Sequence, residues 1–173
     1  MASQLRYPIG KFELPIVITT ALLNDWIKII TDFPALLKQE TDNLSEEDLS
    51  KTYRLDGWNI RQLVHHCADS HMNSFIWFKL TLTEEVPTIK PYTENLWAEL
   101  PDSAAYPIDS SLQILEGLHK RWGKLLASLS NEDLEKQFHH PESNEYISLK
   151  TNIGIYAWHC QHHLAHIRLA KNN

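Results

Sequence analysis

Four long stretches of the sequence carry apolar residues at helical spacing, and this pattern limits the fold more than any other feature. The stretches are residues 16–42, 59–83, 109–128 and 149–170. In each of them apolar side chains recur every three or four residues, as on the buried face of an amphipathic helix. No stretch shows the alternation that is typical of a β-strand. We therefore predict an all-α four-helix bundle, with residues 1–173 forming one domain.

Local signals place the ends of these helices. The candidates for the first positions are Pro15, Thr19 and Thr20 in the first helix, Asp56 and Asn59 in the second, and Asp109 and Ser110 in the third. Pro34 lies inside the first helix and has no N–H for the helical hydrogen bond. We expect Pro34 to kink that helix or to split it.

The connection between the second and third helices is unusually long. Residues 84–108 hold four of the eight prolines in the chain. A connection of this length in a compact domain is either a crossover between distant helix ends or a functional loop. Tyr92, Leu96 and Trp97 indicate that it packs against the bundle.

A short motif occurs twice, once after the first helix and once after the third. Residues 44–49 read Leu-Ser-Glu-Glu-Asp-Leu, and residues 129–134 read Leu-Ser-Asn-Glu-Asp-Leu. Each precedes a helix that carries histidines, which indicates two helix pairs related by a pseudo-twofold axis. The alternative is two independent capped turns, since Ser with an acidic residue three positions later is a common helix start.

Composition excludes several classes of protein. The net charge of −6 argues against the basic face of a nucleic-acid-binding protein. No run of 18 apolar residues is present, and the amino-terminal stretch lacks the apolar core of a signal peptide. Two cysteines suit a reducing compartment. We expect a cytoplasmic protein that binds neither membranes nor nucleic acid.

Seven of the ten histidines lie in two short windows, residues 65–71 and 159–166. His159 and His163 are four residues apart, so they lie on one face of a helix about one turn apart. Two imidazoles at this spacing can bind one metal ion, and a facing helix can supply a third ligand. His162 and His166 have the same spacing, so spacing alone does not choose between the pairs.

Helical phase favours one set of three. His159 and His163 fall at the border of the apolar face of the fourth helix, whereas His162 falls opposite that face. On the second helix His66 lies at the border. The same phase places His65 away from the apolar face and His71 among core positions. We predict a metal site formed by His66, His159 and His163. The alternatives are solvated surface histidines and other sets of ligands.

Other candidate residues surround these histidines. Cys67 and Cys160 fall near the centres of the apolar faces, which favours inert core thiols over nucleophiles. Asp69 lies one helical turn from His66, where it can orient a ligand or act as a catalytic base; the alternative is an exposed helix carboxylate. Trp58 and Trp158 flank the histidine segments and are candidates for the walls of a pocket.

Two segments now show a recognisable pattern. Residues 57–74, which read Gly-Trp-Asn-Ile-Arg-Gln-Leu-Val-His-His-Cys-Ala-Asp-Ser-His-Met-Asn-Ser, resemble the DinB/YfiT superfamily of metal-binding four-helix bundles. Residues 156–167 are similar to the second metal segment of that superfamily, and residues 7–10 and 83–92 also look YfiT-like. The resemblance covers nearly the whole chain. Cys67 departs from the YfiT-like pattern, which has Leu there.

The resemblance implies the fold and the ligands in more detail. It implies an up-down-down-up bundle and a divalent metal, Zn²⁺ or Ni²⁺, bound by His66, His159 and His163. It also implies a homodimer, for which Tyr92, Trp97 and Tyr106 provide aromatic surface.

The implied activity is hydrolysis of a small-molecule substrate, in which the metal activates water. One alternative is a metal-dependent S-transferase that uses a low-molecular-weight thiol of the bacillithiol type. Another is a metal-binding stress-response module without turnover.

Overall fold

The computed structural model describes residues 5–173, and in this part of the chain helices predominate. The four long helices are α1 (Thr20–Thr41), α3 (Ile60–Thr83), α6 (Asp109–Leu126) and α8 (Leu149–Lys171). The short helices are α2 (Glu46–Leu49), α4 (Glu94–Trp97), α5 (Pro101–Ala104) and α7 (Asn131–Glu135). The prediction that the amino-terminal stretch is not a signal peptide includes residues 1–4, and these four residues lie outside the described part of the chain.

The long helices form a bundle in which α1 and α3 lie on a diagonal. Helix α1 packs against α6 and α8, and so does α3. Helices α3 and α8 run antiparallel: the Tyr156 hydroxyl donates to the Ser70 carbonyl at 3.1 Å, and Asn152 donates to Ser74 at 3.1 Å.

Contacts in two other helix pairs show in which direction the remaining helices run. Helix α8 is parallel to α1, because Gly154 lies beside Trp26 at one end of the pair and Arg168 binds Glu40 at the other. His65 binds Ser111 and His71 binds His119, so α3 and α6 also run parallel. The predicted up-down-down-up bundle is confirmed.

Parallel neighbours explain the long connection. Helix α3 has 24 residues, so its end lies about 36 Å from its beginning, and the chain must return that distance before α6 begins. Residues 84–108 make this return along the bundle. Gln62 donates to the Ala98 carbonyl at 2.9 Å, and Arg61 donates to the Tyr106 carbonyl at 2.9 Å. The connection is thus a crossover packed on α3.

The predicted helix starts are confirmed for two of the long helices. The Thr19 hydroxyl accepts a hydrogen bond from the Leu22 amide, and Asn59 forms a capping box with Gln62. The prediction for α6 was wrong. Ile108 occupies the capping position and has helical dihedral angles, so Asp109 lies in the first turn and caps nothing.

The repeated motif forms α2 and α7, each with a capping box made by Ser and the Asp three residues later, Ser45 with Asp48 and Ser130 with Asp133. Each precedes a histidine-bearing helix, α3 or α8.

Pro34 does not split α1, which was one of the two outcomes expected of it; a kink at Pro34 stays a prediction. The helix is continuous from Thr20 to Thr41. The Ile30 carbonyl, which would accept from residue 34 in an ordinary helix, accepts instead from the His119 ring nitrogen Nδ1 at 2.6 Å. The neighbouring helix therefore replaces the hydrogen bond that proline removes.

The expectation of no β-strands was also wrong. Strands β1 (Gln137–His140) and β2 (Glu145–Ser148) form an antiparallel hairpin before α8. The crossover joins it through a bridge between Thr88 and His139. Each strand has only four residues. In β1 only Phe138 is both apolar and buried, and its neighbours are polar. The alternation of apolar and polar residues was therefore too short to detect.

Residues 5–19 lie over the outer face of α8. The Trp158 indole donates to the Gly10 carbonyl at 3.1 Å, and Phe12 packs on Trp26. None of the helices in the described residues 5–173 is long and apolar enough to cross a membrane.

Gly154 allows α8 to approach α1 closely, which gives a test of the bundle geometry. A Cβ atom at this position would lie 2.8 Å from the Trp26 ring and 3.1 Å from Phe12. We expect Gly154→Ala to lower the free energy of unfolding by about 1–3 kcal/mol through overpacking. Denaturant titration measures this.

Gly117→Ala is the matched control, because Gly117 is exposed within α6 and a Cβ there meets nothing within 4 Å. This control should gain up to about 1 kcal/mol from helix propensity. Equal stability changes of the same sign in both variants would contradict the close approach of α1 and α8.

Candidate metal centre

Three histidines from two helices meet where α3 faces α8. His66 comes from α3, and His159 and His163 come from successive turns of α8. The Nε2 atom of His159 lies 3.2 Å from Nε2 of His66 and 3.2 Å from Nε2 of His163. The ligand atoms of all three lie within 4.8 Å of one another. The structure brings together the three residues predicted from the sequence.

The spacing suits one metal ion. Ligands at Zn–N distances of 2.0–2.1 Å in a tetrahedral site are separated by about 3.4 Å. No residue would need to move far for three imidazole nitrogens to bind one ion, and a fourth position would remain for water or substrate.

The environment keeps these imidazoles neutral. Burial, followed by repulsion from His162 and His166, lowers the pKa of His66 to about 3. Burial also holds the pKa values of His159 and His163 well below the ordinary value, and the neighbouring histidines add to this effect. Neutral imidazole is the form that binds metal, so the site has its lone pairs available at neutral pH.

A cavity of about 360 Å³ opens onto the three histidines. Its other walls come from the amino-terminal segment, the turn before α3, the crossover and α8, through residues Arg6, Tyr7, Tyr53, Arg54, Asp56, Trp58, Glu94, Asn95, Trp158, His162 and His166. Trp58 packs on His66 with ring centroids 4.6 Å apart. The expectation that Trp58 and Trp158 wall a pocket is confirmed.

His162 is buried, so the outward-facing position predicted from helical phase was wrong. The residue is only 7% exposed. Its ring stacks on Trp158 at 4.3 Å and on Tyr7 at 5.9 Å. The amino-terminal segment covers a face of α8 that helical phase assigns to solvent. His162 is nevertheless absent from the group whose ligand atoms converge.

His65 was likewise expected to point away from the core, but it is buried. Its Nε2 donates to the Tyr106 carbonyl at 3.0 Å, and its Nδ1 accepts from the Ser111 hydroxyl at 2.7 Å. The crossover and the start of α6 provide this cover. His71 is a core histidine as predicted, fully buried and bound to His119 and His159.

Asp69 does not lie among the residues that line the cavity. It is half-buried, and burial together with the nearby Asp102 carboxylate raises the pKa of Asp69 to about 6. A catalytic role for Asp69 stays a prediction. Cys67 and Cys160 are fully buried, and burial raises the pKa of both thiols, as expected for core residues.

Comparison with known proteins agrees with this geometry. The DinB superfamily matches residues 30–167. The chain belongs to the DinB superfamily. A relative from Bacillus cereus (strain 03BB102) is 54% identical over 165 residues, which cover 95% of this chain and 94% of the relative. A relative from Bacillus thuringiensis subsp. konkukian (strain 97-27) has the same identity and coverage. Both are named, provisionally, as metal-dependent hydrolases.

A solved structure is also similar. YfiT from Bacillus subtilis superposes with a TM-score of 0.94 at 44% sequence identity, and the match covers 98% of this chain and 97% of YfiT. That protein is described as a probable metal-dependent hydrolase with an unusual four-helix bundle topology.

Removing one imidazole should remove most of the metal. We expect His66→Ala, His159→Ala and His163→Ala each to lose most bound divalent metal, because two imidazoles rarely hold an ion as three do. His162→Ala is the matched control, since His162 is a buried histidine on the same helix outside the converging group. Elemental analysis of the purified variants measures their metal content. Loss of metal in His162→Ala alone would refute the assignment.

The buried histidines should also make the fold sensitive to acid. Burial lowers the pKa of His119 to about 4, whereas an unfolded histidine titrates near 6.5. Between these values the unfolded state binds a proton and the folded state does not, so stability falls as pH falls through this window. We expect His119→Phe to reduce the slope of unfolding free energy against pH by about 1.4 kcal/mol per pH unit.

The measurement is denaturant unfolding at several pH values between 7 and 4 for wild type and variant, both without metal. The slope is the informative quantity, because the variant also loses two hydrogen bonds and starts from a different stability. An unchanged slope would show that His119 takes up a proton equally in the folded and unfolded states.

Proposed function

We propose that this protein is a metal-dependent hydrolase that uses a divalent metal held by His66, His159 and His163. The observation that carries the proposal is the convergence of three neutral imidazole Nε2 atoms in the wall of a cavity of about 360 Å³. Three ligands with access from a cavity are the pattern of a catalytic site, since a structural site closes its fourth position. The provisional names of the relatives support the same class of activity.

The donor set narrows the choice of metal. Three imidazole nitrogens suit Zn²⁺ and Ni²⁺ better than Mg²⁺ or Ca²⁺, which prefer oxygen ligands. When bound, such a metal supplies Lewis acidity, which makes water a nucleophile near neutral pH and polarises a carbonyl group.

The cavity walls have separate roles in this proposal. Trp58 packs on His66, and Tyr7, Tyr53 and Trp158 line the same cavity, so aromatic rings form part of its wall. Arg6 and Arg54 place positive charge at the wall, where they can bind an acidic or strongly polar group of a small-molecule substrate. Asp56 and Glu94 add acceptors for its donors.

Transfer of a low-molecular-weight thiol is the second candidate, and the size of the cavity permits it. A volume of about 360 Å³ has room for a small thiol beside an electrophilic substrate. The histidines would then hold the metal in the same way, and the thiol would take the place of water as nucleophile. The thiol would have to come from outside, because Cys67 and Cys160 are buried in the core.

Turnover by metal-loaded protein tests the two candidates. We expect ester or amide substrates to be hydrolysed without added thiol, with His66→Ala inactive and His65→Phe active, because His65 does not line the cavity. A second assay offers an electrophile with and without a low-molecular-weight thiol. Thiol-dependent turnover combined with no hydrolysis would replace the hydrolase by the S-transferase. Full activity after complete removal of metal would refute both, and so would a lack of turnover in both assays.

Two further expectations concern the oligomeric state of the protein and its location in the cell. A homodimer and a cytoplasmic location stay predictions. Trp97 and Tyr106 are exposed on the crossover, and Tyr92 packs on Trp97 with ring centroids 4.5 Å apart. This aromatic surface is the part of the chain that we propose for self-association.

A further inference from the structure

The ligand His159 is connected to the core by a chain of imidazole rings. Its Nδ1 lies 3.1 Å from Nε2 of His71. Nδ1 of His71 lies 2.7 Å from Nε2 of His119, and Nδ1 of His119 lies 2.6 Å from the Ile30 carbonyl oxygen. His71 and His119 are buried, at 0% and 2% exposure. The chain therefore runs from α8 through α3 and α6 to α1, across all four long helices.

The carbonyl at the end of the chain fixes the direction of every hydrogen bond. A carbonyl oxygen accepts only, so Nδ1 of His119 must carry the hydrogen. A neutral imidazole has one N–H, so Nε2 of His119 accepts from Nδ1 of His71. By the same rule Nε2 of His71 accepts from Nδ1 of His159. Nε2 of His159 is then left with its lone pair, and this is the atom that faces His66 and His163.

The hydrogen-bond geometry requires one hydrogen on each ring. Each contact between two rings joins one nitrogen to one nitrogen and so holds a single hydrogen: Nδ1 of His71 donates to Nε2 of His119, and Nε2 of His71 accepts from Nδ1 of His159. Both rings are buried, where a second proton would create a charge without a partner.

Pro34 explains why the Ile30 carbonyl is available as the end of the chain. In an uninterrupted helix the Ile30 carbonyl would accept from the amide of residue 34, but proline has no N–H. The carbonyl is buried inside the bundle with His119 as its partner. Because Pro34 has no N–H, the Ile30 carbonyl is free to accept from His119 and to end the chain of imidazoles.

We propose that His71 and His119 are positioning residues of the metal centre, which fix the tautomer and the ring orientation of His159. The neighbouring ligand lacks such support: Nδ1 of His163 is buried without a partner in the part of the chain that the structure describes. Of these two ligands on α8, His159 is the one oriented by hydrogen bonds, and His163 is oriented by packing. Ligand histidines commonly donate their second nitrogen to an orienting acceptor, and here that acceptor is another histidine.

Metal affinity measures the effect of this chain without any substrate. The proposal rests on the proposed metal centre but not on the reaction, so the assay is competition for Zn²⁺ against a chromophoric chelator. We expect His71→Phe, which keeps an aromatic ring but loses the acceptor, to weaken Zn²⁺ binding about 10–100-fold. His71→Gln should recover part of this loss, because its amide oxygen can accept from Nδ1 of His159. His119→Phe should cause a smaller loss, although His119 touches no ligand.

His65→Phe is the matched control. His65 is buried on the same helix and makes two hydrogen bonds, but it lies outside the chain. The Zn²⁺ affinity of this variant should stay within about twofold of the wild-type affinity, a much smaller change than that expected for an orienting residue. Equal losses in His65→Phe and His71→Phe would reduce the effect to general loosening of the core and overturn the proposal.

Nitrogen-15 NMR of histidine side chains gives a second readout, and its decisive measurement is made on the wild-type protein. In wild-type protein without metal at neutral pH, we expect His119, His71 and His159 each to be the Nδ1–H tautomer. In His119→Phe, His71 should lose this single tautomer. An Nε2–H tautomer for His71 or His159 in the wild type would overturn the proposal. If these tautomers and the Zn²⁺ affinities hold while no substrate is turned over, the proposed function fails and the positioning role stands.

Discussion

The antiparallel packing of α3 against α8 is the constraint on which the rest of the molecule depends. It brings His66 opposite two successive turns of α8, so that one histidine from α3 and two from α8 meet. Because α1 and α3 lie on a diagonal, α3 also contacts α6, and His71 reaches His119. The residues His66 and His71 are five positions apart, about 140° around the helix. One helix therefore serves both the metal centre and the chain that supports it.

This arrangement has an energetic cost that metal can offset. Burial of several neutral imidazoles lowers their pKa values, and each one then opposes folding in mild acid. Three of them place a ring nitrogen within 4.8 Å of one another, and each neutral ring has one nitrogen lone pair. A divalent ion placed there satisfies those lone pairs and binds only the folded state, so it should stabilise the fold by mass action. Metal binding and stability are linked through the same three side chains.

The sequence predicted the parts of the structure that depend on helical phase. The four long helices and the choice of His66, His159 and His163 follow from which residues share a face. The sequence failed where another segment covers a face that phase assigns to solvent. His162 is buried by Tyr7 of the amino-terminal segment, and His65 is buried by Tyr106 of the crossover. Neither segment has a period from which its position can be inferred.

Two other parts of the structure were not predicted, each for a different reason. A hairpin of two four-residue strands is too short for alternation to be visible. Pro34 breaks a local rule of helices, and its compensation comes from His119, which is distant in sequence. Local rules describe what a segment prefers alone, whereas a hydrogen bond from a neighbouring helix can replace the missing one.

The division between helices and connecting segments also bears on substrate choice. The three metal ligands and the chain behind them lie on the long helices, where packing holds each ring in place. The charged wall of the cavity comes instead from connections: Arg6 from the amino-terminal segment, Arg54 and Asp56 from the turn before α3, and Glu94 from the start of α4 in the crossover. Loops tolerate substitution better than packed helices do. Changes in these four residues can therefore alter what the cavity accepts while the metal centre keeps its geometry, so chains that share the three histidines need not share a substrate.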